Sequence, residues 1–194
     1  MAELEQVSDT QTEEPAKEPF NLKKELWEWA KAIFFAAVIV FIVFHFIIQV
    51  VTVKGSSMEP TLENQDRLVI SNLFYTPETG DIVVLSDKTG LDEALIKRII
   101  ALPGQTVDIN ENGEVLVDGK VLSEPYIAEL IDEGHRGNMD YPLTVPEGTV
   151  FVMGDNRNHS TDSRFLEVGF VEEGEILGRV IFRLLHLDKI GTVH

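Results

Sequence analysis

An almost unbroken apolar segment constrains this chain more than any other feature of its sequence. Residues 32–48 include a single polar side chain, that of His45. A helix from Trp27 to Val50, rising about 1.5 Å per residue, is long enough to cross the roughly 30 Å hydrocarbon layer of a membrane. Helices of soluble proteins normally carry a polar stripe, and this segment has none. The sequence therefore predicts one N-terminal transmembrane helix, which with its flanks occupies residues 23–50.

A cleavable leader is the main alternative for such a segment. Its apolar part is usually about 7–15 residues long and is followed by a small-x-small cleavage site. The apolar segment here is longer, and no such site follows it. We therefore expect the helix to be a permanent anchor.

The flanking charges indicate an orientation. Lys23, Lys24 and Lys31 lie before or at the start of the apolar segment, whereas Lys54 is the one basic residue in the dozen that follow. The positive-inside rule then places the N-terminus in the cytoplasm. Residues 1–22 carry six acidic residues and one lysine and predict a disordered cytoplasmic tail. Residues 51–194 are predicted to form an extracytoplasmic domain.

Charge and composition exclude several classes of protein. The chain has 33 acidic and 16 basic side chains, a formal net charge of −17. A nucleic-acid-binding protein needs a basic surface to neutralise phosphates, so we expect no such partner. The chain contains no cysteine, which excludes disulfides and Cys-ligated zinc.

After the apolar segment the sequence changes to short apolar runs and period-two alternation, a pattern typical of strands. The segment ENGEVLVDGKVL predicts a hairpin, with turns at Asn112-Gly113 and Asp118-Gly119. The domain is therefore mostly β, with a small insertion at about 108–146. The candidate strands are Gln49–Lys54, Arg67–Ser71, Asp81–Leu85, Ile96–Ala101, Thr106–Asn110, Glu114–Val117, Thr149–Met153 and Glu175–Arg183.

The first polar cluster, KGSSMEPTL, begins at Lys54 directly after the apolar segment. Gly55 and Pro60 bracket a bend that would display Ser56 or Ser57 at the end of a strand. An ordinary surface loop would have the same composition. The nucleophile elbow G-x-S-x-G of α/β-hydrolases does not fit, because a glutamate stands at the second glycine.

The second cluster is a basic pair, Lys97-Arg98, inside the apolar strand ALIKRIIALPG. Adjacent strand residues project to opposite faces, so one of the two must point inward. Burial disfavours the ammonium form and would lower the pKa of an inward Lys97. A neutral lysine can deprotonate a serine hydroxyl, whereas a lysine at a sheet edge would have no such role.

The third cluster is the loop GDNRNHSTDSR, residues 154–164. Two aspartates and two arginines within ten residues can form ion pairs that fix one conformation, as residues supporting an active site often do. A calcium loop is the competing interpretation, but the spacing is not that of an EF-hand and arginines disfavour a cation. We expect neither a metal nor another cofactor.

Taken together, these clusters resemble a known family. The order of SMEPT at 57–61, GDIVVL at 80–85, KRIIALPG at 97–104 and GDNRNHSTDSR at 154–164 is similar to that of bacterial type I signal peptidases, in particular Gram-positive ones. The resemblance implies a largely antiparallel β-sheet catalytic domain after one membrane anchor. It also implies a serine endopeptidase that cleaves signal peptides from secreted preproteins at the outer surface of the bacterial cell membrane.

The resemblance implies a role for each motif residue. Ser57 matches the nucleophile and Lys97 the general base of a Ser/Lys dyad. Ser160 matches the serine that hydrogen-bonds and orients the lysine. Asp162 and Arg164 match the supporting ion pair, and Asp155 belongs to the start of the same motif.

One position departs from many family members, which place a hydroxyl two residues before the nucleophile to help bind the oxyanion. Here that residue is Gly55. The main-chain amide of Ser57 is then expected to carry more of the oxyanion stabilisation. The loss of one such donor can cost about 10²-fold in rate.

Two alternatives differ in kind from a Ser/Lys protease. One is a membrane-anchored hydrolase with a triad of Ser57, His159 and Asp162, and the other is a membrane-anchored β module with no catalysis. If the chain is a signal peptidase, as the resemblance implies, its expected partners are preproteins with Ala-x-Ala signal peptides and the lipid bilayer. The expected oligomeric state is a monomer.

Overall fold

The computed structural model describes residues 22–42, 49–89, 91, 93–184 and 191, which divide between two compact units, Met1–Phe41 and Ile42–His194. In the first unit, α1 (Leu22–Ile42) is a single helix in which no residue is buried. Its aromatic and aliphatic side chains are exposed, as Trp27 and Phe41 show. Among the described residues, no helix is long and apolar enough to cross a membrane. The helix lies where the sequence places one, while residues 43–48 of the predicted span and the predicted tail up to residue 21 lie outside the described residues.

The second unit is built from antiparallel strands, so the mostly β class is confirmed. A seven-stranded sheet has the order β1-β2-β11-β3-β4-β9-β10, and a four-stranded sheet has the order β7-β6-β5-β8. The strands are β1 (Gln49–Thr52), β2 (Arg67–Ser71), β3 (Ile82–Leu85), β4 (Leu95–Ala101), β5 (Thr106–Ile109), β6 (Val115–Val117), β7 (Lys120–Val121), β8 (Leu143–Thr144), β9 (Thr149–Met153), β10 (Val171–Glu172) and β11 (Ile176–Arg183).

The burial of each strand follows from its sequence. In β2 the residues alternate, with Leu68 and Ile70 buried and their neighbours more exposed, as expected of a strand with one solvated face. The apolar run of β3 is buried throughout. In β4 all residues but Ile96 are buried, although two of them are basic.

The small sheet extends from Thr106 to Thr144, so it overlaps the predicted insertion at 108–146 without matching its start, and it packs on the large sheet. Val107 and Val115 of the small sheet share an apolar cluster with Ile100 of β4 and Phe151 of β9. The turn between β6 and β7 has positive φ at both Asp118 and Gly119, as a two-residue hairpin requires.

The other predicted turn is wrong in detail. A five-residue loop joins β5 to β6, so Asn112-Gly113 is not a two-residue connection. Gly113 is nevertheless required, because its φ is +81° and a Cβ there would overlap the main chain of Ile131.

Candidate active site

The connection between β1 and β2, residues 53–66, contains a turn that carries Ser57. Its apolar side chains Met58 and Leu62 are buried beneath the sheet, and the amide of Leu62 donates to the carbonyl of Met58 at 2.9 Å. Gly55 has φ +83°, and its amide donates to Asn64 Oδ1 at 3.2 Å. Buried apolar residues on one side of the turn therefore hold Ser57 at its surface.

The structure brings Ser57 and Lys97 together, although 40 residues separate them in sequence. Lys97 lies in β4, where it pairs with Val83 of β3, and it is 3% exposed. Its Nζ lies 2.9 Å from Ser57 Oγ and donates to the carbonyl of Ile96 at 3.1 Å. This distance is suitable for direct proton transfer.

Burial lowers the pKa of Lys97 below its ordinary value. The carboxylates of Asp162 and Glu93 oppose this change, and Arg164 adds to it, but desolvation is the largest contribution. Among the described residues, Lys97 makes no ion pair. The amine can therefore lose its proton more readily than an exposed lysine and act as a base.

Arg98 points away from Lys97, as strand geometry predicts, and is also buried. Its guanidinium donates to both carboxylate oxygens of Asp155, at 2.9 and 2.7 Å, and to the carbonyl of Gly80 at 2.7 Å. Thr61, on the Ser57 turn, donates to the same carboxylate of Asp155. Asp155 thus connects the strand of Lys97 with the turn of Ser57.

Asp162 and Arg164 form a second buried pair, and both side chains are 0% exposed. The guanidinium of Arg164 donates to both carboxylate oxygens at 2.8 and 2.9 Å, and the amide of Gly154 donates to Oδ2 at 2.9 Å. Burial alone would raise the pKa of Asp162, but the bonds and charge of Arg164 and the Gly154 amide hold this pKa below its usual value.

Ser160 lies where two segments meet closely. A Cβ on Gly154 would overlap Ser160 Oγ and the carbonyl oxygen of Ser57, so only glycine fits there. The hydroxyl of Ser160 helps to lower the pKa of Asp162. Among the described residues, however, Ser160 Oγ is buried and has no partner that meets hydrogen-bond geometry. The expected bond from Ser160 to Lys97 is therefore not formed, since the amine is directed at Ser57 and Ile96 instead.

Asn156 is a site residue that the sequence did not single out. Its amide donates to the carbonyl of Ser57 at 3.0 Å, and its side-chain Nδ2 donates to the carbonyl of Ser56 at 3.0 Å. The loop at 154–158 thus binds the main chain of the nucleophile candidate directly. The amide of Ser57 itself donates no hydrogen bond within the described part of the chain.

A groove of about 450 Å³ opens in front of Ser57 and Lys97. Its walls include the aliphatic side chains of Val51, Val53 and Leu95. An extended peptide with small apolar side chains is chemically suited to such walls. In the described residues, no group of three or more His, Asp or Glu side chains is arranged to hold a metal ion.

The Ser-His-Asp alternative is not supported by the geometry. His159 lines the same groove, but it is exposed and its Nδ1 lies 3.1 Å from Asn156 Oδ1. The carboxylate of Asp162 is occupied by Arg164 and Gly154. Among the described residues, no hydrogen bond joins His159 to Ser57 or to Asp162.

Comparisons with known proteins agree on one family. The family model described as Signal peptidase, peptidase S26, matches residues 26–185. Signal peptidase I of Bacillus amyloliquefaciens is 36% identical over 179 residues, which are 87% of this chain and 91% of the relative. Signal peptidase I S of Bacillus subtilis is 40% identical, over 76% of this chain and 83% of its own. A probable signal peptidase I-1 from Synechocystis is 43% identical, over 73% of both chains.

Proposed function

The chain belongs to the signal peptidase family, peptidase S26, as a serine endopeptidase that removes signal peptides, and we propose that Ser57 is its nucleophile and Lys97 its general base. One observation carries the assignment: a buried amine with a lowered pKa lies 2.9 Å from a serine hydroxyl.

Each step of the proposed reaction uses these two groups. Neutral Lys97 takes the proton of Ser57 as Oγ forms a bond to the scissile carbonyl carbon. When the tetrahedral intermediate collapses, the C–N bond breaks and the Lys97 ammonium protonates the leaving amine. Water then attacks the acyl-enzyme while Lys97 takes one of its protons, and that proton returns to Ser57 Oγ as the signal peptide leaves with a new carboxyl group, which ionises in solution.

The oxyanion is proposed to bind the amide of Ser57. This N–H has no other acceptor among the described residues, so it is available to the substrate. At Gly55, no atom lies within 4 Å of the position of a Cβ. The space where many relatives have a hydroxyl is therefore open, and a water molecule there could supply a second donor.

We further propose that residues 23–50 anchor the enzyme, with the N-terminus in the cytoplasm and residues 51–194 outside. From Ile48 to Ser57 is nine residues, at most about 30 Å of extended chain, so the nucleophile would stay near the membrane surface. Preproteins with Ala-x-Ala ends would emerge beside it. Protease added to intact spheroplasts should then digest the domain, and full protection would contradict this orientation.

The assignment of the nucleophile can be tested with its neighbour as control. Ser57→Ala should abolish cleavage of a purified preprotein by the full-length enzyme in detergent, with the unfolding temperature unchanged. Ser56→Ala removes an adjacent, exposed hydroxyl and should leave the rate nearly unchanged. Retained activity in Ser57→Ala, or loss only in Ser56→Ala, would overturn the assignment.

A further inference from the structure

A short segment of the insertion, Glu124–Tyr126, lies outside the strands and contacts the buried arginines behind the active site. The carboxylate of Glu124 accepts hydrogen bonds from both terminal nitrogens of Arg157, at 3.0 and 2.6 Å. The Arg157 side chain is 0% exposed and that of Glu124 is 6% exposed. An exposed loop residue would make such a contact only weakly, whereas this pair is largely removed from water.

Tyr126 lies against the guanidinium groups of two arginines. The guanidinium carbon of Arg98 is 3.9 Å from the centre of its ring, and that of Arg157 is 6.0 Å away. The Tyr126 hydroxyl donates to Glu124 at 3.1 Å. The ring therefore holds the planar group of Arg98 in place, and its hydroxyl orients the carboxylate that binds Arg157.

Hydrogen bonds connect both arginines to the turn that carries Ser57. Arg157 Nε donates to the carbonyl of Gly154 at 3.0 Å, and two residues later Asn156 binds the carbonyls of Ser56 and Ser57. Arg98 binds Asp155, which accepts a hydrogen bond from Thr61 on the turn of Ser57. A displacement of Glu124 would be transmitted to the nucleophile through the side chain of Arg157 and the loop main chain, and one of Tyr126 through Arg98, Asp155 and Thr61.

We propose that Glu124 and Tyr126 are positioning residues for the peptidase reaction, which hold the 154–158 loop, and through it Ser57, at reacting distance from Lys97. The proposal rests on the function proposed above. A purely apolar contact would hold the insertion at lower desolvation cost. The charged contact instead fixes the direction of the Arg157 guanidinium, and thereby the carbonyl of Gly154 that Nε binds.

The experiment measures kcat, KM and unfolding temperature of the full-length enzyme in detergent with a purified preprotein. Glu124→Gln should lower kcat about 10-fold or more, because a small displacement of reacting groups is costly, while KM changes less than about twofold. Glu124→Asp, which keeps the carboxylate, should recover part of the loss. Tyr126→Phe keeps the ring over Arg98 but loses the bond to Glu124, and should lower kcat by about threefold.

Glu129→Gln is the matched control, since it removes an exposed acid five residues after Glu124, within the same insertion. It should leave kcat and KM unchanged. All rates are compared at a temperature at which circular dichroism shows each variant folded. If Glu124→Gln does not fold, Glu124→Asp and Tyr126→Phe decide the result by the same criterion.

Two outcomes would overturn the proposal while leaving the peptidase assignment intact. One is an unchanged kcat in folded Glu124 and Tyr126 variants. The other is a fall in unfolding temperature with kcat per folded molecule unchanged, which is the signature of a purely structural role. Failure of the wild-type enzyme itself to cleave the preprotein would instead contradict the proposed function.

Discussion

Two regions on either side of β4 are buried to a similar depth but differ in whether their basic side chains are paired with carboxylates. On the groove side, Lys97 is 3% exposed, and among the described residues it forms no ion pair. On the other face, Arg98 is equally buried and binds the carboxylate of Asp155 through two nitrogens, as Arg157 and Arg164 of the 154–164 loop bind those of Glu124 and Asp162. Lys97 and Arg98 are adjacent in sequence, so strand alternation directs their side chains to opposite faces of β4.

The difference separates reactivity from stability. A buried amine without a counter-ion is stabilised in its neutral form, so it becomes a base and costs folding free energy when protonated. A buried arginine with a bidentate carboxylate stays charged and fixes geometry. In the proposed mechanism, Lys97 on the groove side transfers the proton, and the arginine–carboxylate pairs hold the loop that supports it.

The largest effect should come from removing the base. Lys97→Met has nearly the same volume but no amine, and should lower the cleavage rate about 10³-fold or more, since general base catalysis is lost. It should also raise the unfolding temperature at pH 7. Because the pKa of Lys97 is lower in the folded than in the unfolded protein, stability of the wild type rises with pH between the two values, and the advantage of Lys97→Met should shrink as pH increases.

The wild-type rate is the companion measurement. It should increase with pH through the lowered pKa of Lys97, because the neutral amine is the active form. A pH-independent rate, or an unfolding temperature that falls in Lys97→Met, would remove the contrast between the two sides of β4.

A change in one of the buried arginine–carboxylate pairs should act mainly on stability. Asp162→Asn leaves the buried Arg164 without its carboxylate and should lower the free energy of unfolding by about 3 kcal/mol. The pKa of Asp162 is depressed, so its contribution is present above the unfolded value of about 3.9 and is lost as the pH falls through the folded value. Denaturant unfolding at several pH values should show less acid sensitivity in the variant. Lost activity with unchanged stability would assign Asp162 to the chemistry instead.

The smallest effect should come from the histidine in the same groove. His159 is exposed, and its Nδ1 contacts Asn156 Oδ1. Asn156 holds the turn of Ser57 through its own amide and Nδ2, so this contact does not depend on the imidazole. His159→Ala should change the rate by less than about threefold, the equivalent of one exposed hydrogen bond. A collapse of activity comparable to that of Lys97→Met would favour the triad of Ser57, His159 and Asp162.

The strands of the large sheet could be predicted because their apolar patterns are local. Arg67–Ser71 and Thr149–Met153 have the predicted bounds, and Asp81–Leu85 differs from β3 by one residue. The two-residue strands β8 and β10 have no counterpart among the predicted strands, since so few residues carry no periodicity, whereas β7 was indicated only by the predicted turn at Asp118-Gly119. Their pairing depends on neighbours that only the folded chain supplies.

The site was predictable to a similar extent. The motif order indicated Ser57, Lys97 and the loop ion pairs, whereas Asn156, Glu124 and Tyr126 were not singled out. Asn156 acts through bonds to main-chain carbonyls, which have no sequence signature. Glu124 is 33 residues from Arg157, and the segment around it lacks any regular period.

The position of β11 has a consequence for the order in which the enzyme is made. The turn of Ser57 belongs to the β1-β2 hairpin and Lys97 to the β3-β4 hairpin, and these two hairpins do not pair with each other. The strand between them is β11, Ile176–Arg183, which follows the other strands of the described residues in sequence. A nascent chain that has not reached Arg183 therefore lacks the strand that spaces the two hairpins, so Ser57 and Lys97 are held together only after β11 has been made.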